Sequence, residues 1–543
     1  MPPLSAAETE IDTIIIGNGP SSMILSYILH GHIPYYKADP PHPDPLLHAK
    51  LRESSPCLLR HDLDTLTHHF AASRLSYSTQ ALPINVLLDT LLRPDGETDD
   101  LGEVTNLEWR HKPHRAVPHL VIGNASSPGG LWAVDDPVPV SWDIGTLSYA
   151  GMLSLPGYTF ADHYRKTKKT ELAPFTRPSR KELAEYLRIY PKEAGISDSF
   201  VNGTMLDGIE RTGDGFYIRS HRLRCKHLVL ATGIFSHTIK PPSVLMPLTT
   251  LQQNPKSSKA PLLVIGSGFT AADAIISAPP NQPILHVFRW TPNERPSPLR
   301  ACHQQAYPEY AGIYRLMKRA ALATFTAQKR PKARRLASTS FLESRNWDEV
   351  YEGIPYSEIE DVQMKDGQAI VTFRLPNGST LDRAVSGLTY GVGRRGSLDY
   401  LDPTLRVEVL KGVEHPDESE ISAKTLRNKV MEDLEVAPDV FVIGSLTGDS
   451  LIRFAYGGCV YAASTLITDL SVSSGICTPK RPAGTPTGGR EALLNGVDGH
   501  GQRAQFEDHQ AQKTLSCRSD FESECSRPRM SGWWTALYNA LFR

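Results

Sequence analysis

The segment from Asp12 to Tyr27, DTIIIGNGPSSMILSY, constrains the fold of this chain more than any other segment. Three isoleucines precede the sequence GNGPSS, and apolar residues at helical spacing follow it. This pattern predicts a buried parallel strand that turns sharply into a helix. Gly17 allows the tight turn, and Gly19 leaves the backbone open to a pyrophosphate that the helix amides and dipole would stabilise. Ser22 replaces the usual third glycine and is small enough for close packing. The segment therefore predicts a dinucleotide site.

The next strand candidate, Ile33 to Ala38, ends directly before Asp39, which lies 22 residues after Gly17. An acidic residue near this offset accepts hydrogen bonds from the adenosine ribose in dinucleotide-binding folds. Asp39 is explained equally well as a loop aspartate before the proline-rich PPHPDP. The sequence leaves both interpretations open.

A second glycine motif, PLLVIGSGFTAAD, begins at Pro261. It has the form GxGxxA after a buried strand, with Gly266 and Gly268 in the turn and Ala271 in the helix. The methyl side chain of Ala271 allows the helix to pack closely on the strand. The motif predicts a second dinucleotide site.

The strand after this helix, Ile284 to Phe288, ends at Arg289, 23 residues after Gly266. The planar guanidinium of arginine pairs well with a ribose 2′-phosphate, so this site favours NADPH over NADH. The alternative is a solvated arginine at a strand end, and Arg295 or Arg300 could share or replace the role.

Two further turns of small residues are candidates for contact with a cofactor. The strand Lys226 to Leu230 ends in Ala231-Thr232-Gly233, where small side chains let the chain pass close to a ligand. The loop Gly129-Gly130-Leu131-Trp132 puts flexible backbone beside a large aromatic, which could lie against a flat ring or cover the core.

The last buried strand, Asp439 to Gly444, leads to Gly448-Asp449 and to a helix that begins near Gly457. An aspartate at this position can hold a ribityl hydroxyl, and a glycine-led helix start can face the electron-rich end of a flavin. An ordinary connection between a strand and a helix is the alternative.

Composition excludes several other classes of protein. A chain of 543 residues is long enough for two to four domains. With 58 basic and 59 acidic residues, it has no global attraction to nucleic acid, and the basic stretch 313–345 is best explained as a solvated face. We find no signal-peptide pattern and no apolar run of membrane-spanning length, which predicts an intracellular, cytoplasmic protein. The seven scattered cysteines and the histidines show no metal-ligand spacing and no CxxC.

Several strings resemble the oxidative-stress-induced growth inhibitor family, which is related to the flavin-containing and N-hydroxylating monooxygenases. They are IIIGNGPSSMILSYILHG, HPDPLLHAKL, VPHLVIG followed by PGGLW, YPEY and GSLTGDSLIRFAYGG. The resemblance covers about residues 12–470. It implies an α/β fold with two Rossmann-like domains, FAD at Gly17, Gly19 and Asp449, and NADPH at Gly266, Gly268 and Arg289. The FxGxxxHxxxW linker signature of flavin-containing monooxygenases is absent between Pro242 and Pro261.

These patterns and the resemblance predict a discontinuous FAD domain at 10–255 and 396–470, with an NADPH domain inserted at 256–395. We expect disorder at 471–530, and a short apolar segment at 531–543 that could dock on a protein or a membrane surface. The expected activity is an NADPH-consuming monooxygenase that uses dioxygen and a small organic substrate through a peroxyflavin, without identified catalytic side chains. The alternatives are an NADPH-dependent reductase or oxidase, and a redox-responsive regulator of growth or stress.

Overall fold

The structure is a computed structural model that describes most of the chain up to Ser473. The described residues are 9–63, 65–67, 81–95, 104–132, 142–251, 260–289, 297–302, 304, 307–325, 340–365, 368–413 and 420–473. By its contacts the chain divides into two units, 1–470 with 537–543, and 471–536. The predictions for the tail lie outside the described residues, apart from 471–473, which form the end of a helix.

The strands fall into five sheets. Their bounds are β1 Thr9–Ile16, β2 His32–Tyr36, β3 Leu107–His111, β4 His119–Ile122, β5 Phe200–Val201, β6 Ile209–Thr212, β7 Gly215–Ile218, β8 Leu223–Leu230, β9 His237–Thr238, β10 Leu262–Ile265, β11 Ile284–Phe288, β12 Tyr351–Pro355, β13 Glu358–Lys365, β14 Gln368–Arg374, β15 Thr380–Val385, β16 Gly387–Tyr390, β17 Arg394–Ser397, β18 Glu420–Ile421, β19 Glu435–Ala437 and β20 Val440–Val442.

The α-helices range from single turns to five turns in length. Their bounds are α1 Pro20–Leu29, α2 Pro45–Glu53, α3 Pro83–Leu92, α4 Ala150–Leu153, α5 Phe160–Lys168, α6 Arg180–Glu193, α7 Met246–Thr249, α8 Phe269–Ser277, α9 Pro308–Phe325, α10 Ser340–Glu343, α11 Trp347–Val350, α12 Pro403–Val409, α13 Arg427–Glu432 and α14 Tyr456–Ser473.

The first large sheet is built around β1, whose three isoleucines are buried. Its strand order is β19-β20-β8-β1-β4-β5, with β7 and β6 added at β8. The pairs β1–β4, β1–β8, β8–β20 and β4–β5 are parallel. The buried helix α1 follows β1 directly, as the sequence predicts. This sheet and its helices enclose the largest apolar core of the described residues.

The strand predicted at Ile33 to Ala38 forms as β2, but it does not lie beside β1. It pairs antiparallel with β3 in a separate two-stranded sheet, and β4 takes the place next to β1. Pro34 gives a physical reason, because proline has no N–H for a second ladder and is confined to edge strands. β1 and α1 therefore form a Rossmann-like unit with β4, a strand from much later in the chain, and not with β2.

The second large sheet has the order β12-β11-β10-β16, and its pairs are all parallel. One face packs on α8 and α9, while the other packs on α7 and the antiparallel sheet β13-β14-β15. Burial of both faces explains why β10 is apolar throughout and why β11 is apolar except at His286. The turn Pro376-Asn377-Gly378, whose residue types favour hairpin turns, joins β14 and β15.

Two short strands connect the sheets. The chain leaves the first sheet through β9 and returns through β17, and these strands pair antiparallel with each other. The strands of the second sheet come from between them in sequence. The described residues thus have the predicted α/β fold, with one Rossmann-like unit inserted into another.

Two helices differ in how clearly local sequence marks them. Ser179 and Glu182 form a capping box at the start of α6, and Leu183, Tyr186 and Leu187 are buried on its apolar face. By contrast, α3 begins at Pro83 without a side-chain cap, and Ile84 to Leu91 are all buried. Among the described residues, no helix has both the length and the apolarity needed to cross a membrane.

Candidate functional site

The first glycine turn has little freedom on one side and open space on the other. Gly17 has φ +112°, and a β-carbon placed on it would lie 2.5 Å from the carbonyl oxygen of Ala231. The predicted small-residue turn after β8 therefore packs directly on Gly17. A β-carbon on Gly19 would meet no atom of the described residues within 4 Å. The turn fits the predicted division of roles, in which the first glycine makes the bend and the second leaves room for a ligand.

Asn18, between these glycines, fastens the loop that follows β4. Its buried Nδ2 donates to the carbonyl oxygens of Ala125 (3.0 Å) and Ser127 (3.2 Å) and to Oδ1 of Asn202 (2.8 Å). Its own carbonyl accepts from the N–H of Gly129 at 2.9 Å. Sequence reasoning missed Asn18, because its partners lie more than 100 residues away.

The loop Gly129 to Trp132, which the sequence made a candidate for contact with a cofactor, lies on the first glycine turn. A β-carbon on Gly130 would lie 3.2 Å from Cα of Gly19. Trp132 is partly buried and packs against the main core, which was the alternative interpretation of this aromatic.

The turns after β8 and β20 meet the same edge of the sheet. Gly233 has φ +71° and lies next to Oγ of Ser445, which also accepts from the N–H of Ile234 at 3.3 Å. Thr232 Oγ1 is 3.2 Å from the hydroxyl of Tyr400. A β-carbon on Gly444 would meet Ser21 Oγ. Four connections therefore converge at the carboxyl end of the parallel strands, where ligands bind in open α/β sheets.

Asp449 contacts the start of α3, which sequence reasoning had not placed in the site. Its Oδ2 accepts from the N–H of Leu82 (2.8 Å) and from Nδ2 of Asn85 (2.7 Å), and its Oδ1 accepts from Nη1 of Arg427 (2.9 Å). Asp449 is buried. A carboxylate has about four lone-pair sites, so one remains for a hydroxyl of a ligand.

Gly457 is also covered by α3. A β-carbon on Gly457 would lie 2.3 Å from the carbonyl oxygen of Ile84, and the N–H of Gly458 donates to Oδ1 of Asn85 at 2.9 Å. Asn85 therefore links Asp449 to the first turn of α14. The predicted glycine at this helix start allows close packing of α3.

A buried charged group holds α3 against the chain before α14. Arg453 donates to both carboxylate oxygens of Asp89, with Nη2–Oδ2 at 2.6 Å, and Arg93 Nη2 lies 3.2 Å from Asp89 Oδ1. The three residues are each at least 94% buried. Removal of one partner from such a group costs about 3–5 kcal/mol, because a charge stays buried without compensation.

The second glycine turn repeats the geometry of the first. Gly266 has φ +140°, and a β-carbon on it would lie 2.3 Å from the carbonyl oxygen of Gly391, at the end of β16. Within the part of the chain that the structure describes, a β-carbon on Gly268 would meet Pro298 alone, at 4.0 Å. Ala271 is buried and packs under Gly266 and Gly391, so the helix is as close as the sequence predicted.

Arg289, the predicted partner of a 2′-phosphate, directly follows β11. It is exposed at the end of β11, and β11 is the parallel neighbour of β10. Arg300 is also exposed, in a short 3₁₀-helix beside the turn, while Arg295 lies outside the described residues.

In the first sheet, Asp39 does not occupy the position that Arg289 occupies in the second sheet, which is directly after the strand beside the glycine turn. Asp39 is exposed and follows β2, which pairs with β3 and makes one isolated bridge from Tyr35 to Cys57. The strand next to β1 ends at Ile122 and continues into Gly123. The strand beside the first glycine turn is therefore β4 and not the one before Asp39, and the ribose contact of Asp39 stays a prediction.

The starts of α1 and α8 suit a negatively charged ligand. Their N-cap residues are Gly19 and Gly268, which have no side chain to accept a hydrogen bond from the helix N–H groups. By contrast, α5 and α6 are capped by Thr159 and Ser179. A phosphate can supply acceptors that a capping side chain would otherwise provide. Ser22 Oγ is a further buried polar atom without a partner.

The described cysteines are not arranged for disulfide chemistry. Cys57, Cys225, Cys302 and Cys459 are free and buried. Burial raises the pKa of the Cys225 and Cys302 thiols to about 12, which opposes formation of the reactive thiolate. Within the described ranges, no group of three or more His, Cys, Asp and Glu side chains is placed to hold a metal ion.

Comparison with curated proteins confirms the resemblance given by the sequence strings. The chain is 29% identical to oxidative stress-induced growth inhibitor 1 of Mus musculus over 510 residues, which cover 86% of this chain and 97% of that protein. It is 28% identical to the Homo sapiens protein of the same name over 507 residues, with the same two coverages. No protein-family model matches the chain.

Among solved structures, the chain is similar to a flavin-containing monooxygenase from Stenotrophomonas maltophilia, with a TM-score of 0.46 and 13% identity over 85% of this chain and 99% of that one. It is also similar to a bacillithiol disulfide reductase from Bacillus cereus, with a TM-score of 0.47 and 10% identity over 85% and 100%.

Proposed function

We propose that the chain is an NADPH-consuming flavoprotein monooxygenase that binds FAD at the first glycine turn and NADPH at the second. The observation that carries this proposal is the pair of parallel sheets, each with a glycine turn that opens into an uncapped helix start at its carboxyl edge. Residues 10–255 and 396–470 would form the FAD domain, and 256–395 the NADPH domain.

In the proposed FAD site, the helix start after Gly19 binds the pyrophosphate, and Asp449 accepts a hydrogen bond from a ribityl hydroxyl with its remaining lone pair. Asn18 and the loop to Gly130 close one side of the turn, while Asn85 fixes Asp449 and the start of α14. Thr232 and Gly233 form the edge of the site. We leave Asp39 out of it, because β2 is not part of the parallel sheet.

In the proposed NADPH site, Gly266 makes the bend, Gly268 admits the pyrophosphate, and Arg289 pairs with the 2′-phosphate. The two bound cofactors would supply hydride transfer and the reduction of dioxygen. The chain's own residues would orient the two cofactors and exclude water. The geometry identifies no side chain as a general acid or base.

Absorbance of the purified full-length protein tests the first part of the proposal. We expect a bound flavin spectrum that NADPH bleaches under anaerobic conditions. Protein that is colourless and takes up no added FAD would contradict it. Oxygenation is tested separately by ¹⁸O₂, because a monooxygenase transfers one labelled atom to its substrate whereas an oxidase releases both as hydrogen peroxide.

A second candidate is a redox-responsive growth regulator, and the names of the curated relatives as growth inhibitors favour it. Removal of residues 471–543 separates the two functions. If the truncated protein keeps NADPH turnover but loses an effect on cell growth, the effect depends on the tail rather than on catalysis.

A further inference from the structure

A fully buried histidine contacts the second glycine turn directly. His286 lies in β11, opposite Val264 of β10, and its side chain is 0% exposed. Its Nε2 is 2.7 Å from the carbonyl oxygen of Gly266, and its Nδ1 is 2.9 Å from the hydroxyl of Tyr351, the first residue of β12. The imidazole therefore connects three neighbouring strands of the sheet at the point where the turn begins.

The hydrogen-bond partners define the tautomer of His286. A carbonyl oxygen only accepts, so Nε2 carries the proton and donates to Gly266, while Nδ1 accepts from the hydroxyl of Tyr351. Burial lowers the pKa of His286 to about 4, so the ring is neutral near pH 7. Both ring nitrogens have partners, and the ring has one orientation that satisfies them.

This contact fixes a peptide plane of the glycine turn. The carbonyl of Gly266 and the N–H of Ser267 belong to one planar trans peptide, and they point in opposite directions. Gly391 also restricts the position of Gly266, because its carbonyl oxygen would lie 2.3 Å from a β-carbon placed on Gly266. A hydrogen bond to the Gly266 carbonyl therefore determines where the Ser267 N–H points.

The first sheet shows that a Rossmann-like turn does not need this histidine. Val121 of β4 lies opposite Ile15, two residues before Gly17, just as His286 lies opposite Val264, two residues before Gly266. The two positions correspond, but one holds an apolar side chain and the other a hydrogen-bond donor. The polar contact is thus specific to the second site.

We propose that His286, oriented by Tyr351, is a positioning residue that holds the Gly266–Ser267 peptide in the conformation that binds the dinucleotide pyrophosphate. This inference rests on the proposed NADPH site and extends it to residues without contact to the cofactor. It predicts that affinity for NADP⁺ depends on a donor at the position of Nε2.

The test uses full-length, FAD-loaded protein and titration with NADP⁺, which binds without reducing the flavin. We expect H286N, which is too short to reach Gly266, to weaken binding at least tenfold. H286Q can place an amide N–H near the position of Nε2 and should stay within about threefold of the wild type. Y351F should weaken binding about threefold, because the other tautomer of His286 becomes accessible. The flavin content should be unchanged in the three variants.

Thermal unfolding without NADP⁺ serves as the control for packing. If H286N and H286Q bind equally weakly, or if H286N binds like the wild type, the inference is wrong. Wild-type protein that holds flavin but binds no NADP⁺ would contradict the proposed NADPH site itself, and the inference with it. If H286N binds NADP⁺ more weakly than H286Q and the two variants have similar melting temperatures, the positioning role is supported.

Discussion

The two glycine turns share a backbone design. In each, a glycine with positive φ follows a buried parallel strand and packs against the carbonyl of the residue that ends a neighbouring strand, Ala231 for Gly17 and Gly391 for Gly266. In each, the second glycine, Gly19 or Gly268, faces open space and begins a helix.

The surroundings of the two turns differ. In the second sheet, the strand after the helix is also the spatial neighbour, so Arg289 and His286 come from β11 and lie about 20 residues from Gly266 in sequence. In the first sheet, the neighbour is β4, and Asn18 fastens the loop after it. The strand beside the second turn is thus close to it in sequence, whereas the strand beside the first turn comes from about 100 residues later. A glycine motif predicts the turn, but it does not predict which strand will lie beside it.

The largest expected effects come from alanine at the first glycine of each turn. Positive φ costs alanine about 1–2 kcal/mol, and the overlap of its β-carbon with a carbonyl raises the total to about 3 kcal/mol or more. We expect G17A to lose bound flavin. G266A should keep flavin and bind NADP⁺ at least 100-fold more weakly, as measured by flavin content and titration.

The matched controls are G19A and G268A, where a β-carbon has room. They should change the melting temperature little and weaken only the ligand of their own site. Loss of flavin from G266A would show that the two turns do not act independently, and the comparison would then fail.

The next largest effect is expected for N18A. This change leaves the buried acceptors of Ala125, Ser127 and Asn202 without their donor, which costs about 2 kcal/mol. Because the loop lies on Gly19, we expect about tenfold weaker FAD binding with unchanged NADP⁺ affinity. The matched change at the second turn is S297A, which removes the 2.6 Å bond from Ser297 Oγ to the Ser267 carbonyl and the 3.1 Å bond that Oγ accepts from the N–H of Leu299, and should cost about 1 kcal/mol. Equal losses in the two variants would contradict the greater dependence of the first turn on a side chain with distant partners.

The local features of both turns could be predicted from sequence, since they depend on neighbouring residues. The glycines, the isoleucine strand, the capping box at Ser179 and the hairpin at Asn377 each express a preference of the backbone within a few positions. The insertion of the second sheet between two parts of the first was predicted from the resemblance to known flavoproteins.

The partners of β1 could not be predicted in this way. His119 to Ile122 and Ile33 to Tyr36 are both short apolar strands, and the choice between them depends on pairing with segments far along the chain. Pro34 was the available signal, because proline is excluded from central strands. The docking of α3 on Asp449 and Gly457 joins residues more than 360 positions apart, and no local pattern encodes it.

A smaller effect is expected at Arg289. Its guanidinium is exposed, so solvent screens part of its attraction for a 2′-phosphate, and we expect R289A to weaken NADP⁺ binding about tenfold, or 1.4 kcal/mol. Affinity for NAD⁺, which lacks this phosphate, should be unchanged. R300A is the matched control. If R300A has the larger effect, the phosphate lies on the other side of the turn.

The smallest effect is expected at Asp39, and its size tests the comparison of the two sheets most directly. If β11 brings Arg289 to its site because it pairs with β10, then Asp39 should be unimportant because β2 does not pair with β1. An exposed loop carboxylate contributes within about 0.5 kcal/mol, so D39A should change FAD affinity of the apoprotein by less than about twofold. A loss of fivefold or more in an FAD titration would mean that Asp39 reaches the ribose although β4 lies beside β1. The strand that lies beside a glycine turn would then not identify the residue that binds the ribose in this chain. The proposed role of Arg289 would depend only on the NADP⁺ titration of R289A.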